Sequence, residues 1–549
     1  MTRALAMRLM AGVLLAGAAA WGEGPARFYA DDPLAAEPKA RDASKAMRRK
    51  ISDYYDFFAH MFAKPGEQVG EVVNGKVTPP IPARAVNTLG EPMASAWWQP
   101  RHYYKKMSLA ELTRGAGSEN GPSKEGKWTV VKAKSEGVTP GFEILDAKKR
   151  RFVLKFDPLE YPEIATAPDA LVSKLFYALG YNVPENYIVH FTREDLVLGE
   201  DVQLVDAKGT PRKMTQRDVT ELLMRVPRTK EGLYRGGASL YLPGKPVGPY
   251  KYAGMRRDDP NDIVPHEHRR DLRGLGVFCA WVNHDDSRAI NSLDMLHSEG
   301  GVSYVKHYLI DFGSTLGSAS NGPNSPRSGF EYLFEKGPAM KNFFSLGLAV
   351  PYWARAQYPA YKSVGRFESK LFRAAEWVPE YPNPAFVNRL ADDNFWAAKQ
   401  VMAFTDEEIR AIVKTGEYSD VGAEKWVADA LIERRDKIGR AFLTEVLPLD
   451  RFRVEGGKLA FDDLAAKHGL AKSPGYRTED MGYKVEWSVF DNGSGAATAL
   501  GAKGLTVPEA PGASYVKALV KGEDAKKTIA VYLRRGAGGW DVVGLERGW

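Results

Sequence analysis

The chain has 549 residues, of which 44% are apolar and 26% are charged, and its formal net charge is +7. This composition excludes bulk disorder and a polytopic membrane protein, and the basic excess is too small to indicate nucleic-acid binding. A chain of this length exceeds what one hydrophobic core organises, so we expect two or three domains. Cys279 is the only cysteine, which excludes an intrachain disulfide and a cysteine-based zinc site.

The first twenty residues are typical of an export signal. Arg3 and Arg8 precede an apolar run that ends in small residues at Ala20, and the run is too short to span a bilayer comfortably. A buried or disordered N-terminus is the alternative interpretation. We expect cleavage near Ala20, a periplasmic or secreted protein, and no integral membrane span once the signal is removed.

An N-terminal extension follows, over residues 21–125. Between Asp42 and Phe62 the apolar side chains recur at helical spacing, which predicts one helix. A stretch rich in glycine, serine and proline, 115–126, then indicates a domain boundary or an exposed loop.

The pattern changes to that of strands between Trp128 and Phe156. Three apolar segments separated by polar turns predict three antiparallel strands, and Lys155 lies on the third among apolar neighbours. A lysine in this context is suited to neutralising nucleotide phosphates. The first turn contains Gly137 and Gly141, and glycine lets backbone N–H groups approach a phosphate closely. A purely structural hairpin is the alternative for this turn.

The next segments alternate between helix and strand patterns. An apolar stripe from Leu171 to Leu179 predicts a helix, with Glu163 and Asp169 near its start, and 186–191 predicts a strand. Residues 192–265 are interpreted as an insertion whose glycine-rich aromatic loop contacts the substrate. A buried helix from 266 to 283 then leads to Asp286. A long helix over about 423–446 precedes a β-rich module, 449–549, whose sequence indicates no chemistry.

The most informative residues follow the buried helix. Asp286 and Asn291 have the spacing of a catalytic loop in which the aspartate accepts a hydroxyl proton and the asparagine holds a metal ion. Asp311, which precedes Phe312 and Gly313, is placed to hold a metal ion as well. Arg288 is a candidate for stabilising the charge of a transferring phosphate.

Together, these motifs resemble the atypical protein-kinase-like superfamily, in the style of spore-coat kinases, HipA-type kinases and phosphatidylinositol kinases. The resemblance covers roughly 128–446, although its specific motifs cover only a few dozen residues. The pattern departs from the family where Asn283-His284-Asp285-Asp286 replaces His-Arg-Asp, and it lacks a dense glycine-rich loop and an Ala-Pro-Glu signature. These departures put an activation loop and a protein substrate in doubt.

The resemblance implies an α+β, two-lobed fold with a small antiparallel β N-lobe over 126–191 and a mainly helical C-lobe over 192–448. It implies that the helix after Lys155 provides a carboxylate for that lysine. We favour Glu163 over Asp169, because a favourable interaction with the helix dipole already accounts for an aspartate at position 169. The implied cofactors are ATP with Mg²⁺ or Mn²⁺. The implied partners are a nucleotide and an unidentified hydroxyl acceptor, which is a protein, a glycan or a small molecule.

Four alternatives stay open. Asp285 competes with Asp286 for the catalytic role, and a flipped nucleotide would transfer AMP instead of phosphate. A catalytically silent kinase-like scaffold of the cell envelope would keep the fold without turnover. Finally, a metal-dependent hydrolase would use His266, His268 and His284 with the adjacent aspartates.

Overall fold

A computed structural model of the protein describes residues 26–63, 72–73, 76–118, 121–133, 140–205, 210–346, 348–470 and 482–549. These residues form two compact units. The larger comprises Ala36–Ala85 and Pro92–Glu445, and the smaller comprises the described part of Met1–Ala35 with Val86–Glu91 and Val446–Trp549. The expected signal peptide and Gly137 lie outside the described residues.

The larger unit mixes short strands with helices, in agreement with the α+β class. Its first part contains, in chain order, α1 (Asp53–Phe58), β1 (Val72–Val73), β2 (Lys76–Val77), α2 (Leu109–Arg114), β3 (Trp128–Ala133), β4 (Gly141–Leu145), β5 (Arg151–Lys155), α3 (Thr166–Ala178), β6 (Asn186–Phe191), β7 (Leu196–Leu198), β8 (Gln203–Val205), β9 (Pro211–Lys213), α4 (Gln216–Leu223), β10 (Tyr234–Leu240) and β11 (Lys245–Gly248). Its second part contains α5 (Arg270–Val282), β12 (Ser292–Glu299), β13 (Val302–Leu309), α6 (Lys336–Phe344), α7 (Pro384–Val387), α8 (Ala391–Val401), α9 (Asp406–Lys414) and α10 (Val421–Phe442).

A six-stranded sheet, in the order β6-β10-β5-β4-β3-β7, forms the first core of the larger unit. Strands β3, β4 and β5 are antiparallel neighbours, which confirms the three strands predicted from the sequence. Along β5, Phe152 and Leu154 are buried in the hydrophobic core of the sheet. Because successive side chains of a strand point to opposite faces, Lys155 emerges on the other face.

Strand β10 corrects the interpretation of 192–265 as an insertion. It lies between β5 and β6 and pairs antiparallel with both, so it is an integral strand of the sheet. The glycines Gly236 and Gly237, which the sequence placed in a substrate loop, belong to this strand. The N-terminal helix is also shorter than expected: α1 begins at Asp53 and continues as a π-helix over Ala59–Ala63.

Helix α5 is buried along its whole length and carries the chain to the residues after Val282. Its neighbour α8 lies so close that a Cβ atom on Gly274 would stand 2.3 Å from the Trp396 ring, so only glycine fits there. The helix ends at Asn283, which has left-handed backbone angles and whose Oδ1 atom accepts a hydrogen bond of 2.8 Å from Trp377 Nε1. These contacts fix the direction in which the following residues leave the helix.

Strands β12 and β13 form a hairpin, to which β11 adds on the other side of β12. The hairpin occupies most of the interval between Asn291 and Asp311, so the two residues lie at the same end of it. This arrangement gives the spacing of the two residues a structural reason.

The smaller unit is rich in strands, as the sequence predicts for 449–549. It contains β14 (Leu449–Glu455), β15 (Lys458–Asp463), α11 (Leu464–Lys467), β16 (Lys484–Phe490), β17 (Ala497–Lys503), β18 (Tyr515–Lys521), β19 (Thr528–Gly536) and β20 (Gly539–Gly548). The last five strands form an antiparallel sheet in the order β17-β16-β18-β19-β20. Its core is apolar and includes Trp487, Val516 and Val531.

Candidate active site

Lys155 is the centre of the candidate site. Its Nζ atom lies 2.8 Å from Asp311 Oδ1 and 3.5 Å from Asp169 Oδ2. Burial alone would lower the pKa of this lysine, but the charges of Asp169 and Asp311 outweigh burial and raise it, so the ammonium form is favoured. The site therefore holds a fixed positive charge between two carboxylates.

The residues paired with Lys155 in the two neighbouring strands are both glycines. Gly141 of β4 and Gly237 of β10 are both directly paired with Lys155 in the sheet. Directly paired residues project to the same face of a sheet, and glycine has no side chain to project. Gly141 thus lies next to the lysine predicted to bind phosphate, and Gly237, which the sequence analysis placed in a substrate loop, is its other strand neighbour.

Asp169, in the first turn of α3, is the helix carboxylate that faces Lys155. It is buried, and its Oδ1 atom accepts hydrogen bonds from the Phe312 backbone N–H (3.0 Å) and from Asn186 Nδ2 (3.2 Å). One carboxylate therefore connects the lysine strand, the helix and the segment that contains Asp311.

Glu163, which the sequence analysis favoured for this position, lies elsewhere. Its Oε1 atom is 3.6 Å from Arg235 Nη1, and its Oε2 atom accepts a hydrogen bond of 3.0 Å from the Ser419 backbone N–H. Both Glu163 and Arg235 are buried. Glu163 precedes α3 and forms a buried ion pair of its own, so the pairing with Lys155 falls to Asp169.

The hairpin brings Asn291 to the segment of Asp311. The Ile310 backbone N–H donates to the Asn291 carbonyl at 3.0 Å, and Asn291 Nδ2 donates to the Asp286 carbonyl at 2.7 Å. Asp311 has left-handed backbone angles (φ 62°, ψ 66°), and 47% of its side chain is exposed. An aspartate held in this conformation with a carboxylate open to solvent is suited to a ligand.

The buried ring of Phe312 anchors the segment that contains Asp311. Its centroid lies 5.1 Å from that of Phe176 of α3 and 6.0 Å from that of His284. Burial lowers the pKa of His284 to about 4, so this histidine is neutral and acts as a packing partner. The contacts join α3, the residues after α5 and the end of β13.

Asp286 and Arg288 form a charged cluster with residues that the sequence did not connect to them. Arg288 bonds to the Asp286 carboxylate, and its Nη1 atom lies 2.8 Å from Asp53 Oδ2 and 3.4 Å from Glu380 Oε2. Burial raises the pKa of Asp286 to about 6, against the opposing charge of Arg288. Arg288 is thus shared among three carboxylates. Neither Asp53 nor Glu380 has a local sequence signal, because both are remote from Arg288 along the chain.

Asp285, the competitor for the catalytic role, is buried within the fold. Its carboxylate accepts hydrogen bonds from Asn324 Nδ2 (3.0 Å) and Ser328 Oγ (2.6 Å). Burial raises its pKa to about 7. Asp286 keeps 20% of its side chain exposed, so it is the more accessible of the two carboxylates.

The histidines of the alternative hydrolase do not converge. His266 Nε2 lies 2.8 Å from Asp262 Oδ2, whereas His268 Nδ1 lies 2.9 Å from Arg273 Nη2. Among the residues that the structure describes, no group of three or more histidine, cysteine, aspartate and glutamate side chains is arranged to hold a metal ion. The candidate donors at this site are of another kind: the Asp311 carboxylate beside Lys155, and the amide oxygen of Asn291, whose backbone pairs with Ile310 next to Asp311. Both are hard oxygen ligands suited to Mg²⁺ or Mn²⁺.

The solved structures that resemble this chain include three structures of two kinases, at low similarity. The crystal structure of the Golgi casein kinase with Mn/ADP bound has 10% identity and a TM-score of 0.29, over 61% of this chain and 74% of that chain. A second structure of the Golgi casein kinase has 9% identity and a TM-score of 0.28, over 61% and 75%. The Helicobacter pylori proinflammatory kinase CtkA has 9% identity and a TM-score of 0.30, over 57% and 98%.

No protein-family model matches this sequence, and no curated protein matches it significantly. Similarities at these TM-scores carry no argument about the fold or activity of this chain. None of the helices in the described ranges combines the length and the apolar composition that spanning a bilayer requires.

Proposed function

We propose that this protein is an atypical kinase-like phosphotransferase that uses ATP with Mg²⁺ or Mn²⁺ to modify a hydroxyl acceptor. The observation that carries the proposal is the meeting of Lys155 with Asp169 and Asp311. Phosphoryl transfer requires a cation for the nucleotide phosphates and oxygen ligands for a metal ion. Residues from a strand, a helix and a hairpin end supply both within one small region.

In this proposal Lys155 binds the nucleotide phosphates. Asp169 keeps the lysine in position when the Asp311 carboxylate leaves it to bind the metal ion. Asn291 and Asp311 are the residues that would hold the metal ion, whose chemistry is to neutralise phosphate charge. The Asn291 amide already donates its N–H to the Asp286 carbonyl, which leaves its oxygen as the ligand atom. Gly141, which is directly paired with Lys155, puts no side chain between the lysine and a phosphate, whereas the space at Gly237 is occupied by Thr166.

Asp286 is proposed to accept the proton of the attacking hydroxyl. As the acceptor oxygen bonds to the γ-phosphorus, the bond from that phosphorus to the bridging oxygen of ADP breaks, and the hydroxyl proton passes to the Asp286 carboxylate. With a pKa of about 6, this carboxylate is ionised at neutral pH and remains a better base than an exposed aspartate. Arg288 is close enough to Asp286 to stabilise the developing charge nearby.

A catalytically silent nucleotide-binding or scaffold protein is the second candidate. The observation that favours it is that the two reactive carboxylates are already neutralised within the chain, Asp311 by Lys155 and Asp286 by Arg288. These two ion pairs are also compatible with an enzyme that has no substrate bound. A measurement of turnover therefore distinguishes the phosphotransferase from the silent protein. Export to the periplasm or medium is part of the proposal on the basis of residues 1–20 alone.

The first test is thermal unfolding with and without ATP and Mg²⁺ or Mn²⁺, for the wild type and Asp311→Ala. A ligand at a hundred times its dissociation constant adds about 2.7 kcal/mol of stability. We expect a metal-dependent upward shift in the wild type that is lost in Asp311→Ala. An equal shift in both proteins would remove Asp311 from the nucleotide site.

Turnover is tested separately by mass spectrometry of candidate acceptors incubated with ATP. The added mass distinguishes a transferred phosphate from a transferred AMP, which the same side chains would support if the nucleotide were flipped. Nucleotide binding without any modified acceptor or ADP formation would favour the silent protein.

A further inference from the structure

A cavity of about 230 Å³ lies in the larger unit, and neither Lys155 nor Asp311 is among the residues that line it. Aromatic side chains form a large part of its wall: Phe330, Tyr352, Trp353, Phe372 and Trp377. We call this space the aromatic cavity. A concave site lined by aromatic side chains and a few polar groups is the usual form of a small-molecule binding site.

Two residues of opposite charge on this wall lack ion-pair partners. Arg366 and Glu331 line the aromatic cavity and are partly buried, and neither forms an ion pair with any residue that the structure describes. Arg366 donates instead to the Asn324 carbonyl. The wall therefore offers one cation and one anion with which a ligand can pair.

The other charged residues of the wall keep this balance. Arg434 and Glu368 are buried and, within the described ranges, form no direct ion pair, because Arg434 donates to backbone carbonyls and Glu368 accepts a backbone N–H. Burial lowers the pKa of Arg434 to about 9 against the opposing charge of Glu368. Arg373 and Glu376 pair with each other at 3.0 Å. The wall thus carries three arginines and three glutamates, whose formal charges cancel.

This balance of charge indicates the kind of ligand. A partly buried ion without a partner costs free energy, which a ligand group of opposite charge offsets. A purely anionic ligand would pair with Arg366 but would approach Glu331 unfavourably, and a purely cationic ligand would do the reverse. A zwitterion pairs with both residues.

The size of the cavity sets a limit on the ligand. An apolar cavity of about 150 Å³ holds benzene, and one water molecule takes up about 30 Å³ in the liquid. A volume of about 230 Å³ therefore accommodates one aromatic ring with two or three small polar groups.

We propose that the aromatic cavity binds a free aromatic amino acid, with its carboxylate at Arg366, its ammonium group at Glu331 and its ring among the aromatic side chains. The proposal does not depend on the phosphotransferase activity, since it rests on a different cavity and different residues. Phenylalanine has no hydroxyl group, so its binding would not be that of a phosphoryl acceptor.

The aromatic cavity shares residues with the support of the loop that contains Asp285. Ser328 lines the cavity and donates its hydroxyl to Asp285 at 2.6 Å. Asn283 and Trp377 also line it and are joined by a hydrogen bond of 2.8 Å. A ligand in the cavity would pack against these residues, so we expect it to raise the unfolding temperature of the protein.

The test is isothermal titration of the full chain with phenylalanine, 3-phenylpropionate and phenethylamine. The three molecules share one ring and one chain length, but 3-phenylpropionate lacks the ammonium group and phenethylamine lacks the carboxylate. We expect phenylalanine to bind at least about tenfold more tightly than either analogue. Leucine, a zwitterion without a ring, should also bind more weakly than phenylalanine.

Two variants assign the charged groups of the ligand to their partners. Arg366→Gln should bind phenylalanine and phenethylamine alike, because the carboxylate no longer finds a cation. Glu331→Gln should bind phenylalanine and 3-phenylpropionate alike. General damage to the fold would weaken all ligands together and would not remove one preference at a time.

The matched control is Arg410→Gln, which alters an exposed ion pair with Asp429 outside the cavity and should keep the wild-type order of affinities. Thermal unfolding verifies that each variant is folded. Absence of binding by both phenylalanine and tryptophan at millimolar concentration would overturn the proposal, as would equal binding of phenylalanine and its two analogues. The wild-type order of affinities in both Arg366→Gln and Glu331→Gln would place the amino acid elsewhere and would also overturn it.

Discussion

The Nζ atom of Lys155 lies 2.8 Å from the Oδ1 atom of Asp311, although 156 positions separate the two residues in the chain. Asp169 closes the arrangement by binding the lysine with one carboxylate oxygen and the Phe312 backbone N–H with the other. The strand that carries Lys155 and the segment that carries Asp311 are thus held by the same helix carboxylate.

Lys155→Met should abolish nucleotide-dependent stabilisation, because methionine keeps much of the side-chain volume but supplies no charge for the phosphates. Without nucleotide the variant should also unfold at lower temperature, since buried Asp169 loses its partner, at a cost of about 3–5 kcal/mol. The measurement is the shift in unfolding temperature on adding ATP and Mg²⁺, taken within each protein.

Lys132→Met on strand β3 is the control for Lys155→Met. Lys132 is a half-exposed lysine of the same sheet whose Nζ atom lies 3.1 Å from Glu143 Oε1. This variant should keep the full nucleotide-dependent shift. A shift that survives in Lys155→Met would place the nucleotide elsewhere.

Asp169→Asn and Glu163→Gln separate the two carboxylates that the sequence left open. In Asp169→Asn the amide oxygen still accepts the Phe312 N–H, but the charge that holds Lys155 is gone, so we expect nucleotide affinity to fall at least about tenfold. Glu163→Gln breaks a buried ion pair with Arg235 and should cost about 3 kcal/mol of stability without changing that affinity.

Isothermal titration of both variants with ATP and Mn²⁺, beside urea unfolding, distinguishes affinity from stability. The reverse result, with affinity lost only in Glu163→Gln, would contradict the geometry around Lys155.

The sequence was informative where chemistry follows from short-range spacing. Asp286 and Asn291 share one loop, and the antiparallel strands before Lys155 follow from alternation and turns. The interval before Asp311 also has a local cause, since a β-hairpin returns the chain to its starting point. Patterns of this kind need no knowledge of the rest of the fold.

Long-range partners were beyond such reasoning. The choice between Asp169 and Glu163 depends on where α3 begins and on Arg235, which β10 brings in from a segment interpreted as an insertion. The ion pair of Arg288 with Asp53 joins residues 235 positions apart, and nothing in either local sequence indicates it. Tertiary packing decides these contacts, and spacing along the chain does not report it.

Asp285 should make stability depend on pH in a defined direction. Burial raises its pKa from 3.8 to about 7, so the folded state binds a proton more tightly than the unfolded state. The stability contributed by protonated Asp285 is present below pH 3.8 and is lost as the pH rises through about 7.

Asp285→Asn removes this loss because asparagine does not ionise. The free energy of unfolding of the variant, relative to the wild type, should therefore increase with pH, by up to about 1.4 kcal/mol per pH unit between roughly pH 4 and 7. Urea unfolding of both proteins at several pH values in this range gives the slope. The slope is informative whatever the offset caused by altered hydrogen bonds to Asn324 and Ser328, and a flat difference would show that Asp285 is not a buried titrating group.

Protonation of Asp286 should determine where turnover falls on the acidic side of its pH profile, which we call the acid limb. We expect this limb near pH 6, because the pKa of Asp286 is about 6 and only the carboxylate accepts the hydroxyl proton. Asp286→Asn should lose turnover while it keeps nucleotide binding. The readout is ADP formation from ATP with water as acceptor, measured from pH 5 to about pH 8.

Two substitutions around Arg288 should move this limb in opposite directions. In Asp53→Asn the Arg288 guanidinium has only Asp286 and Glu380 as charged partners. Its positive charge then lowers the pKa of Asp286 further, so the limb moves to lower pH. Arg288→Gln removes the charge that lowers the pKa of Asp286, and the limb moves to higher pH. Glu376→Gln, which alters an exposed pair with Arg373, is the control and should leave the limb in place.

Opposite movements are expected whether Asp53 acts through Arg288 or directly, because the two substitutions remove charges of opposite sign. The double variant Asp53→Asn/Arg288→Gln separates the two routes, since its limb should match that of Arg288→Gln if Asp53 acts only through Arg288. A purely structural role for Asp53 would lower the rate at every pH without moving the limb. A limb that lies at lower pH in the double variant than in Arg288→Gln would mean that Asp53 acts on Asp286 directly, without the guanidinium between them.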